Sequence, residues 1–287
     1  YMENLKVRSQ IKDIRLSVQI NSFKYPDGTQ ALSEIKLEIK KGEFVGILGA
    51  NGSGKTTLLK TVDGLIKDFE GSVHLDGLNI KKLSPKEIYK KVGLVFQNPD
   101  EQLFASTVFE DVAFGPINMG FKEDEITRRV TNALKNVEMA GYENKSIHNL
   151  SFGQKKRICI AGLLSMGQEI LLLDEPTAGL DPMGVHSIMD LLKNLNKTKN
   201  ITIVMTTHSV DLVPLFLDRA VILSNGKIIL EGTPEKVFSE PELIRDAKLR
   251  LPRIGHLFEI LKKHDGFSVD TVPLTIGEAR EFIKNLK

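Results

Sequence analysis

A glycine-rich segment that follows an apolar run constrains this chain more than any other feature. Residues 44–48 are apolar apart from one glycine, a pattern typical of a strand buried on both faces. The next residues fit Gly-x-x-x-x-Gly-Lys-Thr, and a helix is predicted from about residue 54 to 62. The segment consists of Gly49, Ala50, Asn51, Gly52, Ser53, Gly54, Lys55, Thr56 and Thr57. Glycines allow backbone N–H groups to surround phosphate oxygens, so a nucleoside triphosphate site is predicted.

The polar residues of this segment suit the parts of a bound triphosphate. Lys55 supplies a mobile positive charge for the β- and γ-phosphates, and Thr56 offers a hydroxyl to Mg²⁺. The N-terminus of the following helix adds partial positive charge. A glycine-rich turn that merely connects a strand to a helix is the alternative. The lysine and two threonines after a buried strand disfavour it.

Composition excludes several classes of protein. Of 287 residues, 39 are basic and 37 acidic, and the resulting charge of +2 disfavours nucleic acid as the main ligand. No apolar stretch reaches the roughly 18 residues of a membrane span, and the charged N-terminal residues predict no signal peptide. The single cysteine, Cys159, excludes an internal disulfide and fits a reducing cytosol. Its apolar neighbours predict a buried packing role.

Apolar periodicity predicts an α/β fold. Residues 14–20 and 35–39 alternate between apolar and polar, as expected of half-buried antiparallel strands. Continuous apolar runs predict central parallel strands at 44–48, 92–96, 170–173 and 201–205. Residues from about 105 to 168 are helical in pattern. We therefore expect residues 1–231 to form a nucleotide-binding domain, and residues 232–287, which contain several prolines, to form a small C-terminal helical subdomain.

Two carboxylates directly follow the strand predicted at 170–173. Asp174 and Glu175 would lie at the edge where open parallel sheets collect their ligands. We expect Asp174 to bind Mg²⁺ and Glu175 to act as general base, a role worth ~10²–10⁴ in rate. An acidic pair that only terminates a strand is the alternative, and it is weaker beside a phosphate-binding loop.

A pentapeptide between these two segments carries a family resemblance. On its own it would be a helix start capped by serine. In this position it resembles the signature motif of the ATP-binding-cassette (ABC) family, and further motifs agree with that family over about residues 14–231. The pentapeptide is Leu150, Ser151, Phe152, Gly153 and Gln154, and the further motif residues are Gln97, Asp181 and His208. The resemblance implies the P-loop NTPase fold of the ABC cassette, with a mainly parallel central sheet, an antiparallel β subdomain and a helical signature subdomain.

The resemblance also implies a transport-coupled ATPase that works as a head-to-tail dimer with two ATP molecules in the interface. Each ATP would lie on Lys55 and Thr56 of one subunit, beneath Ser151 and Gly153 of the other. The remaining motif residues would have these roles: Tyr25 against adenine, Gln97 on Mg²⁺, His208 at the γ-phosphate, and Asp181 organising the opposite site. Phe152 and Ser209 depart from the commonest family residues, glycine and aspartate. Because the other motif residues are present, we expect hydrolysis.

Residues 97–104 and 110–116 resemble the ATPases of energy-coupling-factor importers, which take up vitamins and transition-metal ions in prokaryotes. Residues 249–254 resemble the tail of cobalt-transport ATPases in that group, with nickel and vitamin importers as alternatives. The implied partners are a transmembrane coupling protein and a membrane-embedded substrate-binding component. The chain would be peripheral, at the cytoplasmic face of the cell membrane. It would form a homodimer, or a heterodimer with a second ABC ATPase, aided by residues 232–287.

Two other classes of function are disfavoured. An ABC machine acting on DNA or ribosomes fits poorly with a single, compact cassette of near-neutral charge. A nucleotide-gated binding module that does not hydrolyse ATP fits poorly with the presence of both Glu175 and His208.

Overall fold

The computed structural model describes residues 13–269 and 271–285. The strands are β1 (Ile14–Lys24), β2 (Gln30–Lys40), β3 (Phe44–Leu48), β4 (Glu70–Leu75), β5 (Leu78–Asn79), β6 (Val92–Val95), β7 (Ile170–Leu173), β8 (Thr202–Thr207), β9 (Arg219–Ser224) and β10 (Lys227–Gly232). The helices are α1 (Lys55–Val62), α2 (Pro85–Tyr89), α3 (Val108–Asn118), α4 (Glu123–Asn136), α5 (Phe152–Met166), α6 (Pro182–Lys199), α7 (Val213–Phe216), α8 (Pro234–Phe238), α9 (Pro241–Asp246), α10 (Arg253–His264) and α11 (Ile276–Lys284).

A six-stranded sheet forms the centre of the molecule, in the order β10-β9-β3-β8-β7-β6. Its strands are parallel except β10, which pairs antiparallel with β9. Both faces of the sheet are covered. In β3, for example, Phe44 and Leu48 enter one core, whereas Val45 and Ile47 enter the other. Burial on both faces explains the continuous apolar runs in the sequence, and the predicted central parallel strands are confirmed.

An antiparallel sheet, ordered β2-β1-β4-β5, packs over one face of the central sheet together with α1. Leu16, Val18 and Ile20 of β1 alternate into the shared core, as predicted from their spacing. Each is at most 2% exposed. The other face of the central sheet is covered by α3, α4, α5 and α6, which contribute apolar residues to the second core. The structure therefore has the predicted α/β layers.

The segment after β10 folds into the short helices α8 to α11. Phe238, Ile244 and Leu251 join the core beneath the central sheet, so this segment does not stand apart from it. A separate, smaller apolar cluster within this C-terminal segment contains Phe258 and Ala279. The division at residue 231 remains a prediction. Within residues 13–269 and 271–285, no helix is long and apolar enough to cross a bilayer.

Candidate functional site

The phosphate-binding loop forms one wall of a cleft of about 410 Å³ at the carboxyl edge of the central sheet. Most of the residues predicted for the site meet here, although they are far apart in sequence. The cleft is lined by Tyr25, Thr29, Gln30, Ala31, Asn51, Gly52, Ser53, Gly54, Lys55, Thr56, Thr57, Gln97, Asp174, Glu175 and His208. The edge position follows from the parallel strands β3, β6, β7 and β8, whose carboxyl ends all point the same way.

The loop itself is tightly packed. Gly54, the residue before α1, has φ of 105°, and an added Cβ would lie 2.6 Å from the carbonyl oxygen of Ala31. Only glycine fits both constraints. Lys55 is 7% exposed, and its Nζ donates hydrogen bonds to the carbonyl oxygens of Gly49 at 2.8 Å and Ala50 at 3.2 Å. Its ammonium group is thus held inside the loop's concave side.

Three hydroxyl and carboxyl groups connect α1 to the ends of β7 and β8. The Thr56 hydroxyl donates to Asp174 Oδ2 at 2.7 Å, and the Thr206 hydroxyl donates to Asp174 Oδ1 at 2.7 Å. Hydroxyl and carboxylate oxygens are the ligands that Mg²⁺ prefers, and Gln97 adds an amide to the same cleft. The residues present therefore fit Mg²⁺.

Glu175 lies at the centre of the charged groups. Its side chain is 8% exposed, with Oε1 at 3.7 Å from Lys55 Nζ and Oε2 at 3.0 Å from His208 Nδ1. Its φ is 47°, a left-handed conformation uncommon for a residue with a side chain. Such strain persists where the surroundings enforce it, often in functional sites. The carboxylate thus faces the cleft between a lysine and a histidine.

Thr206 is a site residue that the sequence did not indicate. It is fully buried, and its hydroxyl accepts the N–H of Glu175 at 2.9 Å while donating to Asp174. It therefore fixes the backbone of one carboxylate residue and the side chain of the other. The only signal in the sequence was a threonine at the end of an apolar strand.

Replacing Thr206 with valine tests this arrangement. The Thr206→Val protein keeps the shape of the side chain but leaves two buried polar groups without a partner. We expect kcat for ATP to fall by about ten-fold and stability by about 1–3 kcal/mol. Steady-state kinetics and denaturant unfolding measure the two effects.

Thr202→Val is a matched control for that experiment. Thr202 is equally buried at the other end of β8, where its hydroxyl accepts the N–H of Gly42. It should lose similar stability and retain kcat. Equal kcat losses in the two variants would show that destabilisation alone, and not the loss of positioning, slows turnover.

Tyr25 lies at the rim of the cleft and is 39% exposed. Its hydroxyl is 2.8 Å from Thr57 Oγ1, and its ring packs edge-on against Phe23 with centroids 5.1 Å apart. Phe23 thus supports the Tyr25 ring from one side, while the exposed part of the ring borders the cleft. This position is compatible with stacking on a base, and the assignment to adenine remains a prediction.

The signature residues lie elsewhere on the same chain. Ser151 is exposed and caps α5, where it forms a capping box with Gln154. Phe152 packs beneath Gly179, whose added Cβ would lie 2.9 Å from the phenylalanine ring. Asp181 is also exposed and caps α6 by accepting the N–H of Gly184 at 2.7 Å. Leu150 is 8% exposed. A Cβ added to Gly153 would lie 3.5 Å from the Leu180 side chain.

Two buried titratable groups belong to α5. Cys159 is 2% exposed, which confirms the packing role, and burial raises the pKa of its thiol to about 12. Lys156 is 1% exposed, and burial lowers the pKa of its ammonium group to about 8, against the opposing effect of Glu175 and Asp174. No sequence motif singled out Lys156.

Comparisons with known proteins agree with the fold. The family model described as ABC transporter matches residues 32–178. A putative ABC transporter ATP-binding protein of Geobacter sulfurreducens is 60% identical, covering 95% of this chain and 98% of its own length. An energy-coupling factor transporter ATP-binding protein, EcfA, of Methanocaldococcus jannaschii is 54% identical, covering 92% of this chain and 94% of its own.

Solved structures show the same cassette. CbiO1 of Clostridium perfringens, described as part of the ABC transporter complex CbiONQ, has a TM-score of 0.75 at 47% identity, covering 86% of this chain and 100% of its own. A dimeric ATP-binding cassette in a post-hydrolysis state, bound to ADP and Pi, has a TM-score of 0.67 at 32% identity, covering 77% of this chain and 98% of its own. The chain therefore belongs to the ABC transporter family, as an ATPase of the energy-coupling-factor type.

Proposed function

We propose that this chain, as a homodimer, hydrolyses ATP with Glu175 as general base and thereby drives a prokaryotic energy-coupling-factor importer, with cobalt or nickel ions as cargo. The observation that carries the chemistry is the meeting of Lys55, Asp174, Glu175 and His208 in one cleft. A vitamin importer is the alternative cargo class. A non-transport ABC ATPase acting on nucleic acid or ribosomes is a weaker alternative, and the chain's charge of +2 counts against it.

The proposed roles follow from where charge develops during hydrolysis. Lys55 and the backbone N–H groups of the loop bind the β- and γ-phosphates. Glu175 orients a water molecule and accepts its proton, while His208, bonded to the same carboxylate, reaches the γ-phosphate. Thr56, Asp174 and Gln97 would hold Mg²⁺, which would neutralise part of the phosphate charge. Lys55, Glu175 and His208 already lie next to one another in the structure.

The proposed dimer accounts for the signature residues. Ser151 is exposed at the N-terminus of a 15-residue helix, where partial positive charge accumulates, and it lies outside its own chain's cleft. A head-to-tail partner would bring that helix end to the γ-phosphate bound by the first chain. A similar cassette has been solved as a dimer with ADP and Pi, which supports a dimer here. Residues 232–287 are proposed to add a contact between the two subunits, and a second ABC ATPase could replace one of them.

An exposed aromatic pair supports the proposed membrane partner. Phe104 is 65% exposed and Phe114 is 50% exposed, with ring centroids 4.7 Å apart. Asp111 accepts the N–H of Phe104 at 3.0 Å and so fixes the segment that follows Gln97. Neighbouring large apolar side chains on a surface are typical of an interaction site. We assign this surface to a helix of the transmembrane coupling protein, and we propose that the chain lies at the cytoplasmic face of the membrane.

Removing the aromatic pair tests the assignment. The amount of membrane protein that co-purifies with the Phe104→Ser/Phe114→Ser protein should be at least about ten-fold lower than with the wild type. The reason is that a buried aromatic anchor contributes strongly to an interface. Its ATPase activity without partners should stay unchanged. The control is Leu78→Ser, a 55% exposed apolar residue on β5. Undiminished capture of the same membrane proteins by the double variant would contradict the assignment.

Identification of the co-purifying membrane proteins also tests the cargo. A substrate-binding component that binds Co²⁺ or Ni²⁺ in isolation supports the metal importer. A component that binds a vitamin supports the alternative cargo and leaves the ATPase role standing. Recovery of ribosomes or nucleic acid without membrane proteins would contradict the transport role.

A further inference from the structure

Lys156 occupies an unusual position for a lysine. It is 1% exposed, deep beneath the cleft, although lysine is among the residues least often fully buried. Burial of an ammonium group is costly unless its donors are paired. The preceding lysine, Lys155, instead forms an ion pair with Asp100 at 2.6 Å. The burial of Lys156 therefore needs specific partners.

Those partners are groups of three different motifs. Lys156 Nζ donates to the carbonyl oxygen of Gln97 at 3.0 Å and to that of Glu175 at 3.3 Å. It also lies 5.2 Å from the centroid of the Phe152 ring, one helical turn earlier on α5. An ammonium group has three N–H donors, so two carbonyls and one aromatic face satisfy it. One atom thus contacts the signature segment, the Gln97 segment and the catalytic carboxylate residue.

Both carbonyls belong to residues whose placement matters for the reaction. Gln97 presents its side chain to the cleft, and Glu175 holds its carboxylate there from a left-handed backbone conformation. A hydrogen bond to the Glu175 carbonyl helps to hold that conformation. Because α5 is a continuous helix from Phe152 to Met166, a displacement of its signature end is transmitted to Lys156 and hence to these two carbonyls.

We propose that Lys156 is a positioning residue that couples the signature end of α5 to Gln97 and Glu175. The inference rests on the proposed dimer, in which the signature end contacts the ATP of the partner while Gln97 and Glu175 serve the chain's own ATP. Lys156 thereby links the two ATP sites of the dimer through one subunit.

The test compares Lys156→Met with the wild type and with Lys155→Met as matched control. Methionine retains most of the buried volume and removes all three donors. We expect kcat to fall about ten-fold with KM for ATP changed by less than about two-fold, and the Hill coefficient for ATP to fall towards 1. Lys155→Met should match the wild type. Lys156→Gln, which keeps an N–H donor, should have an intermediate kcat. It replaces Lys156→Met in the comparison if the methionine variant does not fold.

A second measurement separates positioning from a general structural role. In a Glu175→Gln background, where turnover is blocked, ATP-dependent dimer formation is measured by sedimentation with and without Lys156→Met. Dimers are expected in both. Loss of the dimer only when Lys156→Met is added would overturn the inference. So would a wild-type kcat and Hill coefficient in the Lys156→Met and Lys156→Gln proteins that retain Glu175. Absence of the dimer even with Lys156 intact overturns the proposed dimer itself.

Discussion

The Glu175→Gln protein is expected to hydrolyse ATP at least about 10²-fold more slowly than the wild type, because the amide cannot accept a proton from the attacking water. Glutamine has nearly the same shape, and it can still bond to His208, which lies 3.0 Å from the present carboxylate. ATP binding should therefore persist. Single-turnover kinetics with a fluorescent or radioactive nucleotide measure the chemical step apart from binding.

The same variant should accumulate the ATP-bound dimer, since the complex forms but does not turn over. Glu169→Gln is a suitable control, because Glu169 is a carboxylate at the opposite, amino end of β7 and pairs with Arg15. That control should retain kcat. A Glu175→Gln protein with wild-type turnover would mean that another group takes the proton and would favour the non-catalytic role of this carboxylate.

Loss of ATP binding is expected when Lys55 is replaced by alanine. Lys55 is 7% exposed and its ammonium group is held by two loop carbonyls, so its interaction with phosphate is weakly screened by water. We expect the Kd for ATP to rise by at least about 10²-fold, equivalent to about 2.7 kcal/mol. Calorimetric titration with ATP and Mg²⁺ measures the change.

Lys60→Ala provides the comparison for Lys55→Ala. Lys60 belongs to the last turn of the same helix, α1, and should leave the Kd unchanged. Two results would count against the phosphate role of Lys55. One is an unchanged Kd in Lys55→Ala, and the other is an equal rise in both variants, which would indicate damage to the helix instead.

Much of the fold could be predicted from local pattern. The apolar runs at β3, β7 and β8 have the composition of strands buried on both faces, and the glycine-rich segment between β3 and α1 has few structural alternatives. The order of the central strands was less accessible. β3 lies between β8 and β9, which are more than 150 residues further along the chain, so that this order depends on long-range packing.

The site was predicted only as far as its residues carry a motif. Lys55, Thr56 and Asp174 were expected together, and they meet in the cleft. Thr206 and Lys156 were missed because backbone groups are among the partners of each: the N–H of Glu175 in one case and two carbonyls in the other. Backbone groups are present at every residue, so the sequence alone does not mark which of them need a partner.

Ser151 lies outside the cleft of its own chain, at the N-terminus of α5. We propose that two chains share each ATP site, with Lys55 from one and Ser151 from the other. In a mixed dimer of Ser151→Arg and Lys55→Ala subunits, one site keeps both groups and the other loses both. Each variant alone has no intact site.

The most direct measurement is the ATPase rate of the two variants mixed in equal amounts, with differently tagged subunits to show that mixed dimers form. Random pairing predicts recovery of up to about a quarter of the wild-type rate per subunit, well above either variant alone. If mixed dimers form and the rate does not exceed that of the single variants, each ATP site is not shared between chains.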